Sequence, residues 1–173
     1  MRSDFMDTDA LSALLWSLTT PNKIACEIAL ATGWRIEDVL CLTVEQVERA
    51  RRLNRHPITI IEKKTGKKST RYFSSKMLAK MEIIKGRYYI FEGANDWRKH
   101  RTRQAVYLDL KRAAKRFNIK NINLSPHTLR KNYAVYLRKQ GKSIEEIKKT
   151  LNHDSITTTL LYALADELTE RKI

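Results

Sequence analysis

Hydrophobic residues return at helical spacing from the start of the chain. Leu11, Leu14, Leu15 and Leu18 predict a helix over 7–18, and Ile24, Ala25, Ile28 and Ala29 predict a second over 22–32. Thr20-Pro21 opens that second helix and Gly33 ends it. Thr43, with Gln46 three residues on, forms a capping box for a helix that runs through Arg51. The period then changes. Pro57-Ile58-Thr59-Ile60-Ile61-Glu62 is rich in β-branched residues, and 69–73 answers it across a KKTGKK turn, so the two runs predict an antiparallel hairpin. Residues 74–84 read as helix, 88–91 as a short buried strand or extended segment, and 92–98 as a loop. A long amphipathic helix from His100 or Thr102 to Phe117 turns Val106, Leu110, Ala113, Ala114 and Phe117 inward.

The last third is organised around SPHTLRKNYAVYLRKQGKSIEEIKKTLNHDSITTTLLY, residues 125–162. Ser125 is an N-cap and Pro126 takes the first helical position, where no backbone donor is missed. His127 and Arg130 stand three apart, on one face of that helix, which runs to a terminating Gly141. Ser143 and Glu146 make a second capping box, for a helix ending near Leu151-Asn152-His153. A third helix, 156–168, carries Tyr162 about two turns in. The fold class is therefore mainly α with a small antiparallel β-sheet, as one domain over 1–173 with no internal repeat, low-complexity tract or linker.

Composition adds one strong feature. The chain carries 34 Lys+Arg against 19 Asp+Glu, a net charge of +15, which points to a polyanionic partner: nucleic acid or an anionic membrane surface. No stretch has the uninterrupted apolar length of a transmembrane helix, and MRSDFMDTDA lacks the apolar core of a signal peptide. Cys26 and Cys41 sit in apolar surroundings without ligand-like spacing. They read as buried reduced thiols of a cytoplasmic protein, and no zinc site or other metal is expected.

Taken singly, the polar residues of the last third have ordinary readings. His127 is an exposed residue at a helix start, Arg130 a solvated cation, His153 a loop closure and Tyr162 an amphipathic core residue. Together, HTLR and LNHDSITTTLLY resemble the C-terminal catalytic region of the tyrosine recombinases, the phage-integrase type. That family has His-x-x-Arg, then Leu-Gly-His with the nucleophilic Tyr nine residues after the His, and here Tyr162 follows His153 by nine. Two departures stand out. Asn152 replaces the usual Gly, and Lys131 follows the Arg where His or a small residue is common. Upstream, ATGWRIEDVLCLTVEQV resembles the family's first motif, which places a catalytic arginine at Arg35 and a structural acid at Asp38. KTGK resembles the family's hairpin turn and aligns Lys64 with its general acid, with Lys63 and Lys67 as rivals.

The resemblance covers nearly the whole chain and implies the catalytic-domain fold, a double-stranded DNA partner, self-association on DNA as dimer or tetramer, and no cofactor. It implies attack by Tyr162 on a DNA phosphate to give a 3′-phosphotyrosyl link. His127 would be the base, Arg35 and Arg130 the clamps on the nonbridging oxygens, Lys64 the acid and His153 a further donor. Other readings stay open at this point: a recombinase-derived DNA-binding regulator without chemistry, a type IB topoisomerase-like relaxing activity, or a non-enzymatic basic protein on RNA or membrane. Integrases usually carry a core-binding domain before this region, whereas here the pattern begins almost at Met1. The chain is then either a stand-alone catalytic domain or a piece of a longer integrase.

Overall fold

The computed structural model describes residues 4–120 and 122–170. In order they form α1 (Thr8–Trp16), α2 (Thr20–Thr32), α3 (Ile36–Leu40), α4 (Val44–Arg52), β1 (Pro57–Ile61), β2 (Lys68–Tyr72) and α5 (Ser75–Ile84). There follow α6 (Arg103–Arg116), α7 (Pro126–Lys139), α8 (Ile144–Thr150), α9 (Ile156–Ala163) and α10 (Ala165–Glu170). The chain is thus mainly helical with one small antiparallel sheet. Side-chain oxygens occupy the orphan amides at helix starts: Ser74, Thr102, Ser125, Ser143 and Ser155 each cap the helix that follows. Both capping boxes predicted from sequence, Thr43 with Gln46 and Ser143 with Glu146, are formed. No helix among the described residues is long and apolar enough to cross a membrane.

Two apolar clusters build the interior. The larger spans α1 to α6 and reaches Leu124 and Leu129, with Trp34 and Phe91 among its most deeply buried side chains. The smaller joins Ala134, Ile147, Leu151 and Ala163 and has Tyr162 packed against it. Helix α7 contributes to both, Leu129 to the first and Ala134 to the second. Helix α2 packs on α1, α3, α5, α6 and α7, and its C-terminal end meets α7 closely. Gly33, at φ 70°, makes that approach possible: a Cβ there would lie 2.2 Å from a Tyr133 ring carbon.

The hairpin pairs Pro57 with Tyr72 through Ile61 with Lys68, leaving the lysine-rich turn at its tip. Arg71 staples it to the helices. Its Nε donates to the Thr32 carbonyl at 3.0 Å and its Nη2 to the Thr150 carbonyl at 2.6 Å, two acceptors left over at the ends of α2 and α8.

Three sequence expectations are corrected. The helix expected over 156–168 breaks at Leu164, and α10 folds back on α7, where Arg138 reaches Asp166 at 2.9 Å and Glu167 at 2.6 Å. Phe117 is 47% exposed, because it caps α6 and lies past the last turn of the inward face; Ile119 packs against the core after the chain reverses at Asn118. Residues 88–91 form no strand, only a single bridge between Thr43 and Tyr89, and Tyr88 is exposed while Ile90 and Phe91 are buried. The basic tail expected at the C-terminus lies outside the described residues.

Candidate functional site

The caps and crossings above bring distant polar residues to one cleft. Arg35, Lys64, His127, Arg130, His153 and Tyr162 all line a cavity of about 890 Å³. Arg35 leads into α3, His127 and Arg130 stand on the first turns of α7, and His153 follows α8. Tyr162 sits near the end of α9, and Lys64 is in the hairpin turn.

Arg130 is the deepest of these groups at 3% exposure. Its Nη1 donates to the Gly33 carbonyl at 2.5 Å and its Nη2 to the Leu151 carbonyl, so it ties the end of α2 to the end of α8. Burial, then the neighbouring Arg35 charge, pulls its pKa down to about 10, and it remains a cation at neutral pH.

The Tyr162 hydroxyl and His127 Nδ1 lie 3.2 Å apart. Burial, then the positive charge of Arg130, Arg103 and Arg35, holds His127 below the ordinary histidine value, so its ring is neutral and able to take a proton. Burial raises the Tyr162 phenol, against the opposing pull of Arg130 and Arg35. His153 packs edge-on against the Tyr162 ring, with centroids 5.0 Å apart, and its Nδ1 lies 3.2 Å from Thr159 Oγ1. The Thr159 hydroxyl donates to the Ser155 carbonyl, so Nδ1 is assigned as the donor in that pair. Lys131 reaches over the Tyr162 ring, its Nζ 5.6 Å from the centroid.

The three hairpin lysines differ in what they touch. Lys63 Nζ donates to Glu37 Oε1 at 3.3 Å, lies 3.4 Å from His100 Nε2 and sits beside the Cys41 thiol. Lys67 pairs with Asp154 at 2.8 Å. Lys64 lines the cleft with no ion pair or hydrogen bond to any of the described residues. Asp38 is buried, accepts the Lys63 backbone amide at 2.9 Å and thereby ties α3 to the hairpin. Burial raises its pKa.

The sequence reading of both cysteines as buried holds for Cys26 but not for Cys41, which is half-buried beside Lys63. Glu37, Cys41 and His100 bring ligand atoms within 4.8 Å of one another, and the Lys63 ammonium sits among them as an internal cation.

Sequence reasoning missed Glu62. Its carboxylate binds Arg35 Nη1 and accepts Asn152 Nδ2 at 2.7 Å. The signal was present, since strand alternation puts Glu62 on the same face as the buried Ile58 and Ile60. The Asn152 departure also has a physical reason. The residue is left-handed at φ 50°, a conformation asparagine tolerates better than most side chains.

The pattern described as Phage integrase family matches residues 4–168. The chain belongs to the phage integrase family. It is 31% identical over 149 residues to the tyrosine recombinase XerC of Herpetosiphon aurantiacus, a match covering 82% of this chain and 47% of that protein. It spans about half the length of the curated relatives it matches. Among solved structures, the catalytic domain of bacteriophage HP1 integrase has the same fold, with a TM-score of 0.65 at 24% identity over 95% of this chain and 89% of that one. The Tn1549 transposon integrase in complex with transposon right end DNA aligns at a TM-score of 0.72, 17% identity, over 99% of this chain and 66% of that one.

His153 supplies a pH test for this member of the family. Burial, then Arg130 and Arg35, lowers its pKa from 6.5 to about 3. The unfolded chain therefore binds the proton more readily than the folded one, and stability is full above pH 6.5 and falls as pH drops toward 3. At pH 5 the penalty from this one group is about 2 kcal/mol. Thermal denaturation at pH 7 and pH 5 should show wild type losing more stability on acidification than His153→Gln. Equal losses would contradict the assigned environment of His153.

Proposed function

We propose that this chain is the catalytic domain of a site-specific recombinase that breaks and rejoins double-stranded DNA through a 3′-phosphotyrosyl intermediate. The observation that carries the reading is the Tyr162 hydroxyl hydrogen-bonded to a neutral His127 beside the buried Arg130. A phenol is a poor nucleophile at neutral pH, with an ordinary pKa near ~10, and needs a base as it attacks. Tyr162 Oη bonds to the scissile phosphorus while His127 takes the phenol proton. The bond from phosphorus to the 5′ oxygen breaks, and Lys64, the hairpin lysine not engaged elsewhere, gives that oxygen a proton. Arg35 and Arg130 present planar donor forks to the nonbridging oxygens, whose charge is stabilised in the transition state. His153 adds a donor in its Nε2–H tautomer, reached when the ring proton passes from Nδ1 to Nε2 and the Thr159 hydroxyl turns its own proton from the Ser155 carbonyl to Nδ1. In the joining step a 5′ hydroxyl attacks the phosphotyrosyl link and these proton transfers reverse. The link conserves the energy of the broken bond, so the cycle needs neither ATP nor a metal.

The +15 net charge fits a DNA partner, as does the DNA-bound integrase of the same fold. We further propose that protomers associate on DNA as a dimer or tetramer, and that the protein works in the cytoplasm, where Cys26 and Cys41 stay reduced. A purely DNA-binding regulator would give the Tyr162–His127 pair no purpose.

A suicide DNA substrate carrying a candidate site tests the class. Wild type should form a covalent adduct on a denaturing gel. Tyr162→Phe should form none while binding DNA with near-equal affinity, since the ring is retained and only one hydrogen bond, roughly 0.5–1.5 kcal/mol, is lost. An adduct that survives Tyr162→Phe would overturn the assignment.

The acid is tested separately. Lys64→Ala should slow cleavage of ordinary DNA strongly, yet slow a 5′-bridging phosphorothiolate substrate little, because sulfur leaves without a proton. The same rescue seen for Lys63→Ala or Lys67→Ala, and not for Lys64→Ala, would move the acid to that lysine.

A further inference from the structure

Glu62 is 1% exposed, yet its carboxylate is shared among three segments far apart in the chain. It binds Arg35 Nη1 and the Thr65 hydroxyl, the latter at 3.2 Å, through Oε2, and Asn152 Nδ2 at 2.7 Å through Oε1. Arg35 stands at the junction of α2 and α3. Thr65 follows Lys64 in the hairpin turn, and Asn152 precedes His153 between α8 and α9. A carboxylate so far from water is costly unless its oxygens are occupied, so these partners are held to it as firmly as it is held by them. A partner for the Arg35 charge alone would need only one of these contacts. The bonds from Thr65 and Asn152 come from neutral groups and serve to fix position.

Asn152 sharpens the point. Its φ of 50° is one that glycine adopts without cost, and glycine would offer no donor to Glu62. The amide therefore does what the backbone conformation alone does not require. It fastens the turn leading to His153 and Tyr162 onto the strand leading to Lys64.

We propose that Glu62 is a positioning residue that holds Arg35, the turn bearing Lys64 and the turn bearing His153 in register, with Asn152 as its neutral partner. What is positioned rests on the recombinase reading above; the coupling of Glu62 to Asn152 does not. Glu62 need not touch DNA. It acts through the groups it holds, and a small displacement of those groups is enough to slow a phosphoryl transfer.

The test uses the full chain with Glu62→Ala, Asn152→Gly, Asn152→Asp and the double variant Glu62→Ala/Asn152→Gly. Three quantities are read: DNA affinity, the rate of adduct formation at saturating suicide substrate, and melting temperature. Glu62→Ala should slow adduct formation about a hundredfold with DNA affinity almost unchanged. Asn152→Gly should slow it roughly tenfold, the size of one charge-assisted hydrogen bond. Asn152→Asp, which also tolerates the left-handed backbone but sets a second carboxylate against Glu62, should be slower still. The double variant should be no slower than Glu62→Ala, because the bond removed by the second change is already gone.

Harmless Asn152→Gly and Asn152→Asp variants, or losses that multiply in the double variant, would overturn the proposal. Should Glu62→Ala fail to fold, the two Asn152 variants decide it on rate alone. A wild-type chain that forms no adduct would defeat the recombinase reading instead. The melting temperatures of the four variants would then report the coupling, and additive shifts would refute it.

Discussion

Folding takes the Arg130 guanidinium out of water, and the architecture around it is arranged to make that tolerable. An ion of this size loses several kcal/mol of hydration on burial, and the loss has to be offset by well-placed acceptors. Two are main-chain carbonyls, of Gly33 and Leu151, both at helix ends where acceptors are left over. The close approach of α2 to α7 at Gly33 brings one of them within reach. The cation thus records that α2, α7 and α8 have met correctly.

The electrostatics of the cleft follow from that burial. Two guanidiniums, Arg35 and Arg130, lie near two buried carboxylates, Asp38 and Glu62. Glu62 holds Arg35 in place, while burial, reinforced by the charge of the two arginines, keeps both neighbouring imidazoles neutral, with His153 driven as low as about 3. A neutral imidazole beside Tyr162 is able to accept a proton, and the buried Arg130 charge adds to the effect of burial in keeping it neutral.

Much of this was legible in the chain because it is local. Capping residues, the β-branched runs, Gly33 and the spacing from His153 to Tyr162 are all written in consecutive residues. The motifs named the six candidate side chains, and the structure lines them around one cleft. What could not be read was tertiary. Nothing near Glu62 in sequence announces Arg35 or Asn152 as partners, and its inward parity becomes meaningful only once β1 is known to pack on the core. The break at Leu164 was hidden because the apolar pattern continues through it, and the deciding contact, Arg138 with Asp166 and Glu167, joins residues a whole helix apart. Only the motif favoured Lys64 over Lys63 and Lys67, and the three differ physically once Glu37, His100 and Asp154 engage the other two.

The proposed cleavage forms a covalent bond to DNA through one particular oxygen, the Tyr162 hydroxyl. Protease digestion of a trapped protein–DNA adduct, followed by mass spectrometry of the nucleotide-bearing peptide, reads that bond directly. A single modified peptide from α9 is expected, with the nucleotide on Tyr162. A nucleotide on Tyr133, Tyr136 or any serine would contradict it.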